Sequence, residues 1–309
     1  MRRVIVTGAH GFLGRHVLRD LAQHGVQVAT LGRGAPSGPS HIAMGAAPWS
    51  VDRIAAAIRS VGPDAVFHLA GGATGPAEEL DRLNLGLAEA IMAAIAAAGS
   101  TAVFLCCGSA AEYGAAFADG VPVTEEAACR PTNPYGASKL AQTRAALAFA
   151  AAHGAPVLVA RIFNPLGPGM PGHLALADFA RQIAAIRGPR GVLHTGNLEV
   201  FRDFADIAHV AAALRILAGN PAARGVVNVC SGEATELRSL VGMLAEAAGK
   251  QVECVVDPSR LRPGELRTVI GSTARLAALG AALPRAEYRD VVARLWRDAA
   301  ARSSQGAGW

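Results

Sequence analysis

The chain has 309 residues and a mass of 31.5 kDa; it is 51% hydrophobic and 17% charged, with 35 Gly and 17 Pro. This composition excludes a disordered chain, a coiled coil and a collagen-like fibre, and the length suits two cooperating lobes. The formal charge of +5 is almost all arginine, because lysine occurs only at Lys139 and Lys250. The arginines are scattered, with no basic tract, which argues against nucleic acid and for a small anionic ligand.

The apolar run after Met1-Arg2-Arg3 stops at Thr7-Gly8, too short for a secretory leader. Longer apolar stretches are broken by Asn84, Glu89 and Gly99, so no membrane span and a cytoplasmic location are expected. Cys106, Cys107, Cys129, Cys230 and Cys254 show no CxxC or Cys/His spacing. They read as reduced thiols, and no metal site is expected.

Short Val/Ile-rich runs at residues 3–7, 27–31, 65–69, 102–106 and 157–162 predict strands. Between them, residues 12–24, 51–60, 76–98 and 133–153 carry helical patterns. Residues 33–48, rich in Gly and Pro, read as a long loop. The alternation predicts an α/β fold with a Rossmann-type doubly wound parallel sheet. After Phe163 the loop Asn164-Pro165-Leu166-Gly167-Pro168-Gly169 marks a change of texture, with helices expected near 175–187, 206–218 and 236–248. A smaller C-terminal α/β substrate-binding lobe is expected there. The division is residues 1–165 and 203–230 for the dinucleotide-binding domain, 166–202 and 231–309 for the second lobe. The tail from Arg302 is expected to fray.

The segment Thr7-Gly8-Ala9-His10-Gly11-Phe12-Leu13-Gly14 follows the first strand and opens the first helix. A pyrophosphate at a helix N-terminus is held by exposed N–H groups and the positive end of the dipole. Gly8 suits the turn, Gly11 the close approach and Gly14 the packing of helix on strand. The second strand ends Thr30-Leu31-Gly32-Arg33, with no acid to accept from a ribose 2′-hydroxyl. Arg33 suits a 2′-phosphate instead, with Arg15 as a second cation, so NADP(H) is expected over NAD(H).

Tyr135-Gly136-Ala137-Ser138-Lys139 sets a phenol and an ammonium four residues apart, on one helix face. A cation so placed favours the phenolate and lets tyrosine exchange a proton with a carbonyl or alcohol. Ser109 follows the fourth strand, at the carboxyl edge where such sheets bind ligands, and can polarise a substrate oxygen.

These pieces resemble the extended short-chain dehydrogenases/reductases of the NAD-dependent epimerase/dehydratase group. His68-Leu69-Ala70-Gly71, Arg161-Ile162-Phe163-Asn164-Pro165-Leu166-Gly167 and Arg202-Asp203-Phe204 carry the likeness as well. The second half is similar to GDP-4-keto-6-deoxy-D-mannose reductases and related NDP-hexose ketoreductases. That similarity lies in Asp178-Phe179-Ala180-Arg181-Gln182-Ile183, Gly196-Asn197-Leu198-Glu199, Asn228-Val229-Cys230-Ser231-Gly232 and Asp257-Pro258-Ser259-Arg260-Leu261-Arg262-Pro263. The resemblance implies Tyr135 as acid/base, with Lys139 on the nicotinamide ribose and Ser109 on the sugar oxygen. It adds His10, Phe12, Leu13, Leu69, Ala70, Gly71 and Ile162 to the cofactor site. Asn164, Arg202, Arg262 and Glu265 would bind a nucleotide-diphosphate sugar, a role that guanidinium forks suit. It also implies a homodimer through the helices at 76–98 and 133–153. Departures are Gly45-Ala46 near an expected adenine contact, Asn84 without its usual Gly-Thr, and His209 where an acid is common.

The same scaffold runs reductions, epimerisations and dehydrations. In the group, dehydration uses a Glu two residues before the tyrosine of the loop after strand four, and here that position is Ala111. Glu112 stands one residue later and should point elsewhere. The expected function is NADPH-dependent reduction of an NDP-4-keto-6-deoxyhexose at C4, with an NAD-dependent 4-epimerase as the alternative. A non-catalytic NADP-sensing protein is a third reading, which the intact set of Ser109, Tyr135 and Lys139 opposes.

Overall fold

The computed structural model describes residues 1–34, 40–261 and 263–304. Its first half alternates strand and helix: β1 (Arg3–Thr7), α1 (Phe12–Gln23), β2 (Gln27–Gly32), β3 (His41–Ala43), α2 (Val51–Val61) and β4 (Ala65–His68). Next come α3 (Ala77–Asp81), α4 (Leu87–Ala97), β5 (Val103–Ser109), α5 (Pro134–His153) and β6 (Val157–Ile162). Then follow β7 (Pro165–Leu166), α6 (Ala175–Ala185), β8 (Arg190–Thr195), β9 (Phe201–Arg202), β10 (Ala205–Asp206), α7 (Ile207–Gly219) and β11 (Gly225–Val229). The chain ends with β12 (Thr235–Glu236), α8 (Leu237–Ala247), β13 (Gln251–Val256), β14 (Thr268–Val269), α9 (Ala274–Ala278) and α10 (Tyr288–Ser304).

Seven strands form one sheet in the order β11-β6-β5-β4-β1-β2-β3, every neighbouring pair parallel. Strand pleating sends alternate side chains to opposite faces, and both faces here are apolar because helices cover both. Val4 and Val6 of β1 enter the core under α1 and α7, while Ile5 enters the core under α2, α4 and α5. Leu105 parts from Phe104 and Cys106 in the same way on β5. This is the expected Rossmann-type doubly wound sheet.

A third core gathers Leu166, Phe179, Ile183, Leu193, Leu240, Leu244, Val292 and Leu295. It joins α6, α8 and α10 beneath the parallel pair β8–β13. Leu276 and Ala281, within the expected second-lobe stretch 231–309, pack into the α1/α7 core instead. No helix is expected from the sequence after residue 248, yet α10 runs to Ser304 and Arg302 pairs with Asp298 at 2.9 Å. The frayed tail expected from Arg302 is thus corrected as far as Ser304. The helix expected over 76–98 is present as one helical run in which a wider π-type turn, Arg82–Gly86, lies between α3 and α4. That turn carries Asn84 inward to buried hydrogen-bond partners, which holds the widened geometry in place. Among the described residues no helix is long and apolar enough to cross a membrane.

Candidate active site

Three loops at the carboxyl edge of the sheet build the site. At Gly8, φ is +68°, and a Cβ there would lie 2.6 Å from the backbone of Leu69 and Ala70. The loops after β1 and β4 therefore touch through a position only glycine can fill. At Gly14 a Cβ would come within 2.1 Å of the Gly8 carbonyl, so α1 rests directly on the turn that precedes it. Gly11, the N-cap of α1, offers no side-chain cap, and the first N–H groups of the helix point into the loop. The ring of Phe12 packs into the third core and Leu13 packs against the first, so toward a ligand these residues present backbone. The cradle has the form that a dinucleotide pyrophosphate requires, and the group fits.

Thr7, Leu69, Ala70 and Gly71 complete the cradle. The Thr7 hydroxyl accepts from the Ala70 N–H at 3.2 Å and bonds Nδ1 of His68 at 2.9 Å. His68 is buried against Phe104, and burial, reinforced by the charge of Lys139, lowers its pKa to about 3, so the ring is neutral. Asn84 ties the loop after β4 to α5. Its Oδ1 accepts from Gly72 N at 3.0 Å, and its Nδ2 donates to Gly72 O and to Ser138 Oγ at 2.9 Å. Ser138 in turn donates to the Tyr135 carbonyl.

At the other end, Arg33 is exposed just past β2. Arg15, expected beside it, instead reaches the Gly169 carbonyl at 3.4 Å. It lies on α1 with its stem turned toward the loop after β7, which corrects its place as a second cation. His41 stands near the end of β2 instead, bonded to Thr30 Oγ1 at 2.7 Å and 6.2 Å from the His10 ring. Gly45, the departure near the expected adenine contact, adopts φ +75° and its carbonyl accepts from Trp49.

Ser109 ends β5 and caps the short 3-10 turn that follows. Its N–H donates to Glu112 Oε1 at 2.8 Å, and its Oγ accepts from Ala111 N at 3.2 Å. With the oxygen so engaged, the hydroxyl proton is the part of Ser109 free to donate. Helix α5 starts cleanly, with Asn133 accepting from Gly136 N and Pro134 in the first turn. A Cβ at Gly136 would lie 2.4 Å from the Ala111 carbonyl, so the helix bearing Tyr135 presses directly on the turn bearing Ser109. Tyr135 is half-buried and Lys139 buried, its Nζ donating to Gln142 Oε1 at 2.5 Å. Ile162 is the register partner of Ser109 across β5 and β6.

Glu112 faces the interior. It is fully buried, and its Oε2 accepts from Arg161 Nε at 2.8 Å and from Thr143 Oγ1 at 2.9 Å. Its other oxygen, Oε1, accepts from the Ser109 N–H, so the carboxylate braces the backbone under Ser109 and is spent on protein partners. Arg161 lies over the ring of Tyr113, whose hydroxyl donates to Asn228 and whose pKa burial pushes up to about 12.

Among the expected substrate residues, Arg202 and Glu265 come together: Nη2 of Arg202 donates to Glu265 Oε1 at 2.9 Å. Its Nη1 donates to the carbonyls of Phe201, Leu266 and Arg267. Asn164 is exposed and donates to the Asp203 carbonyl. Asp203 is buried, and its carboxylate accepts from Ser231, Gly232 and Gly271, which joins β9 to the segments after β11 and β14. Arg262 lies outside the described residues. Metal-binding clusters of His, Cys, Asp or Glu are absent among the described residues. The placements of Glu112, Gln142 and His41 carry no signal in the sequence, because each is set by the direction of a side chain or by a partner on another element. Asn84 alone had a signal, since it stood out as an unassigned polar residue in an apolar helix.

Comparison with known proteins decides the lineage. The NAD dependent epimerase/dehydratase family matches residues 4–230. The chain belongs to that family. GDP-6-deoxy-D-mannose reductase of Pseudomonas aeruginosa is 36% identical, over 89% of this chain and 90% of its own length. dTDP-6-deoxy-L-talose 4-dehydrogenase (NAD(P)(+)) of Kitasatospora kifunensis is 32% identical, over 95% and 94%. The structure of RMD from Pseudomonas aeruginosa complexed with NADPH superposes with a TM-score of 0.81 at 31% identity, covering 98% of this chain and all of that one. Family membership together with reductase and dehydrogenase relatives makes the chain an NAD(P)-dependent oxidoreductase.

Proposed function

We propose that the chain reduces the C4 ketone of an NDP-4-keto-6-deoxyhexose with NADPH. The observation that carries this reading is the contact at Gly136, which sets the helix of Tyr135 and Lys139 against the turn of Ser109 beside the glycine cradle. The two relatives above, a reductase and a 4-dehydrogenase of 6-deoxyhexose nucleotides, support the same substrate class.

Bound NADPH would supply hydride to the carbonyl carbon, and the remaining work falls to side chains. Gly8, Gly11 and Gly14, with the N–H groups of His10, Phe12 and Leu13, would hold the pyrophosphate. Leu69, Ala70, Gly71 and Ile162 would flank the cofactor, and Arg33 would meet the 2′-phosphate. The bound NADPH of the Pseudomonas aeruginosa structure supports NADP(H) over NAD(H). Ser109 donates to the ketone oxygen and orients it. Tyr135 transfers its phenolic proton to that oxygen, and Lys139 stabilises the phenolate left behind. Arg202 and Arg262, with Asn164 and Glu265, would take the diphosphate and sugar. Glu112, paired with Arg161, offers no acid for elimination, which disfavours a dehydratase.

A groove between α4 and α5, lined mostly by apolar side chains such as Met92, Ala96, Ala145 and Phe149 together with Glu89 and His153, supports a homodimer through these helices. The five free cysteines fit a reducing cytoplasm.

The test is direct. Purified protein given an NDP-4-keto-6-deoxyhexose should oxidise one NADPH per sugar, and Tyr135→Phe should lower the rate by about 10²–10⁴-fold. Turnover without added cofactor, together with NAD⁺ released on denaturation, would instead establish the 4-epimerase.

A further inference from the structure

Behind Tyr135 the same helix face leads to two buried polar side chains, Lys139 and Gln142. Lys139 is 6% exposed, and its hydrogen-bond partner, Gln142, is 1% exposed. The groups that surround Lys139 are neutral or already paired. From β4 comes His68, kept uncharged by burial. From β5 come Cys106 and Cys107, whose thiols burial pushes up to about 12, so that both stay protonated. The turn after β5 does bring a carboxylate, Glu112, but Arg161 of β6, Thr143 and the Ser109 N–H occupy it. The segment from α3 to α4 turns in only the amide of Asn84, while its Glu79, Asp81, Arg82 and Glu89 are exposed. On α5 itself, Arg144 and His153 are exposed. Among the described residues, no carboxylate forms an ion pair with Lys139.

A buried ammonium is ordinarily neutralised, because leaving it unpaired is unfavourable. Here a neutral amide anchors it instead. We propose that Gln142 is a positioning residue that fixes the Lys139 ammonium without cancelling its charge, so that the charge acts on the Tyr135 hydroxyl one helical turn away. Arg161 has the complementary task, keeping Glu112 from competing for the same ammonium. The inference rests on Tyr135 as the proton donor of the proposed reaction. In that step the phenol O–H bond breaks, the proton joins the ketone oxygen as hydride from NADPH reaches the carbon, and the phenolate faces Lys139.

Gln142→Glu tests this by changing only the charge of the anchor. The new carboxylate would take the ammonium as an ion pair. The pH at which kcat falls to half should then rise by about one unit, since a nearby charge shifts a partner by roughly 1–3 units. At neutral pH kcat should fall about tenfold with the KM for NADPH within about twofold, a factor of ten in rate being one unit of proton affinity. Gln142→Met removes the anchor without adding charge and should lower kcat while leaving the pH limb in place. An independent readout uses the cofactor-free protein. The ultraviolet tyrosinate signal that Tyr135→Phe removes should appear at higher pH in Gln142→Glu than in the native chain. The proposal is overturned if the two pH profiles superpose, or if Gln142→Met moves the limb as far as Gln142→Glu. Should Tyr135→Phe remain active, the assignment of the proton donor falls, and the tyrosinate titration still decides whether residue 142 governs the charge at that phenol.

Discussion

Beside the reacting residues, charge is sealed from water: Glu112 is 0% and Arg161 4% exposed, and together they join β5, β6 and α5. In the region of the third core, the pair Arg202–Glu265 is only half-buried, and Val255 and Val256 of β13 lie exposed. The contrast fits the roles proposed for each region. Proton transfer needs donors held within a fraction of an ångström, which a dry hydrogen-bonded network can provide. Gripping a diphosphate needs cations still free to exchange protein partners for phosphate, and these are best kept at a wet rim. Several variants can break or sharpen this contrast.

The largest effect is expected from Arg161→Met. Removing one partner of a buried pair strands the other and costs about 3–5 kcal/mol. Urea denaturation should show that loss, and adding Glu112→Gln should recover part of it, because the two sites are coupled. Gly136→Val comes next. The new side chain meets the Ala111 backbone, and overpacking of this kind costs about 1–3 kcal/mol. Because the displaced helix carries Tyr135, kcat in the folded fraction should fall by about 10²-fold. A loss of stability without loss of kcat would show that the contact is only structural.

The rim should behave differently. Arg202→Ala should raise the KM for the sugar nucleotide by about 10–100-fold, since a charge-assisted hydrogen bond is worth about 1.5–3 kcal/mol. NADPH affinity should change little, while stability should fall modestly, because the guanidinium also ties three backbone carbonyls. Acid should separate the regions as well. Burial depresses the folded pKa of His68 to about 3 from its ordinary 6.5. Between those values the unfolded chain binds more protons, so stability is complete above the higher value and declines as pH falls toward the lower. Lowering pH from about 7 to about 5 should remove about 2 kcal/mol through this residue, and His68→Gln should flatten that slope in thermal melts. The smallest effect is expected from Arg33→Ser, which should reduce the preference for NADPH over NADH by about tenfold, equivalent to one contact of roughly 1.4 kcal/mol.

Much of the scaffold was legible because its signals are local. The five expected strands and the glycines at 8, 11 and 14 lie in short windows, where periodicity and the absence of a side chain speak directly. The spacing of Tyr135 and Lys139 guaranteed a shared helix face before any fold was known. The helix α10 also had a legible period in Val291, Val292, Leu295 and Ala299, but its charged outer face obscured it. Arg15 went the other way. Its place just past Gly14 suggested the cofactor, yet its side chain reaches across to Gly169, 154 residues distant.

The order of residues alone determined the alternation of strand and helix, the phosphate-binding turn and the residue types available for proton transfer, since each depends on neighbours within a turn or a strand. Only the tertiary structure decided which charges are cancelled. Glu112 meets Arg161 across 49 residues and thereby leaves Lys139 to a neutral amide. Electrostatic balance in a buried site is set by distances through space, and those exist only once the sheet has brought separated segments together.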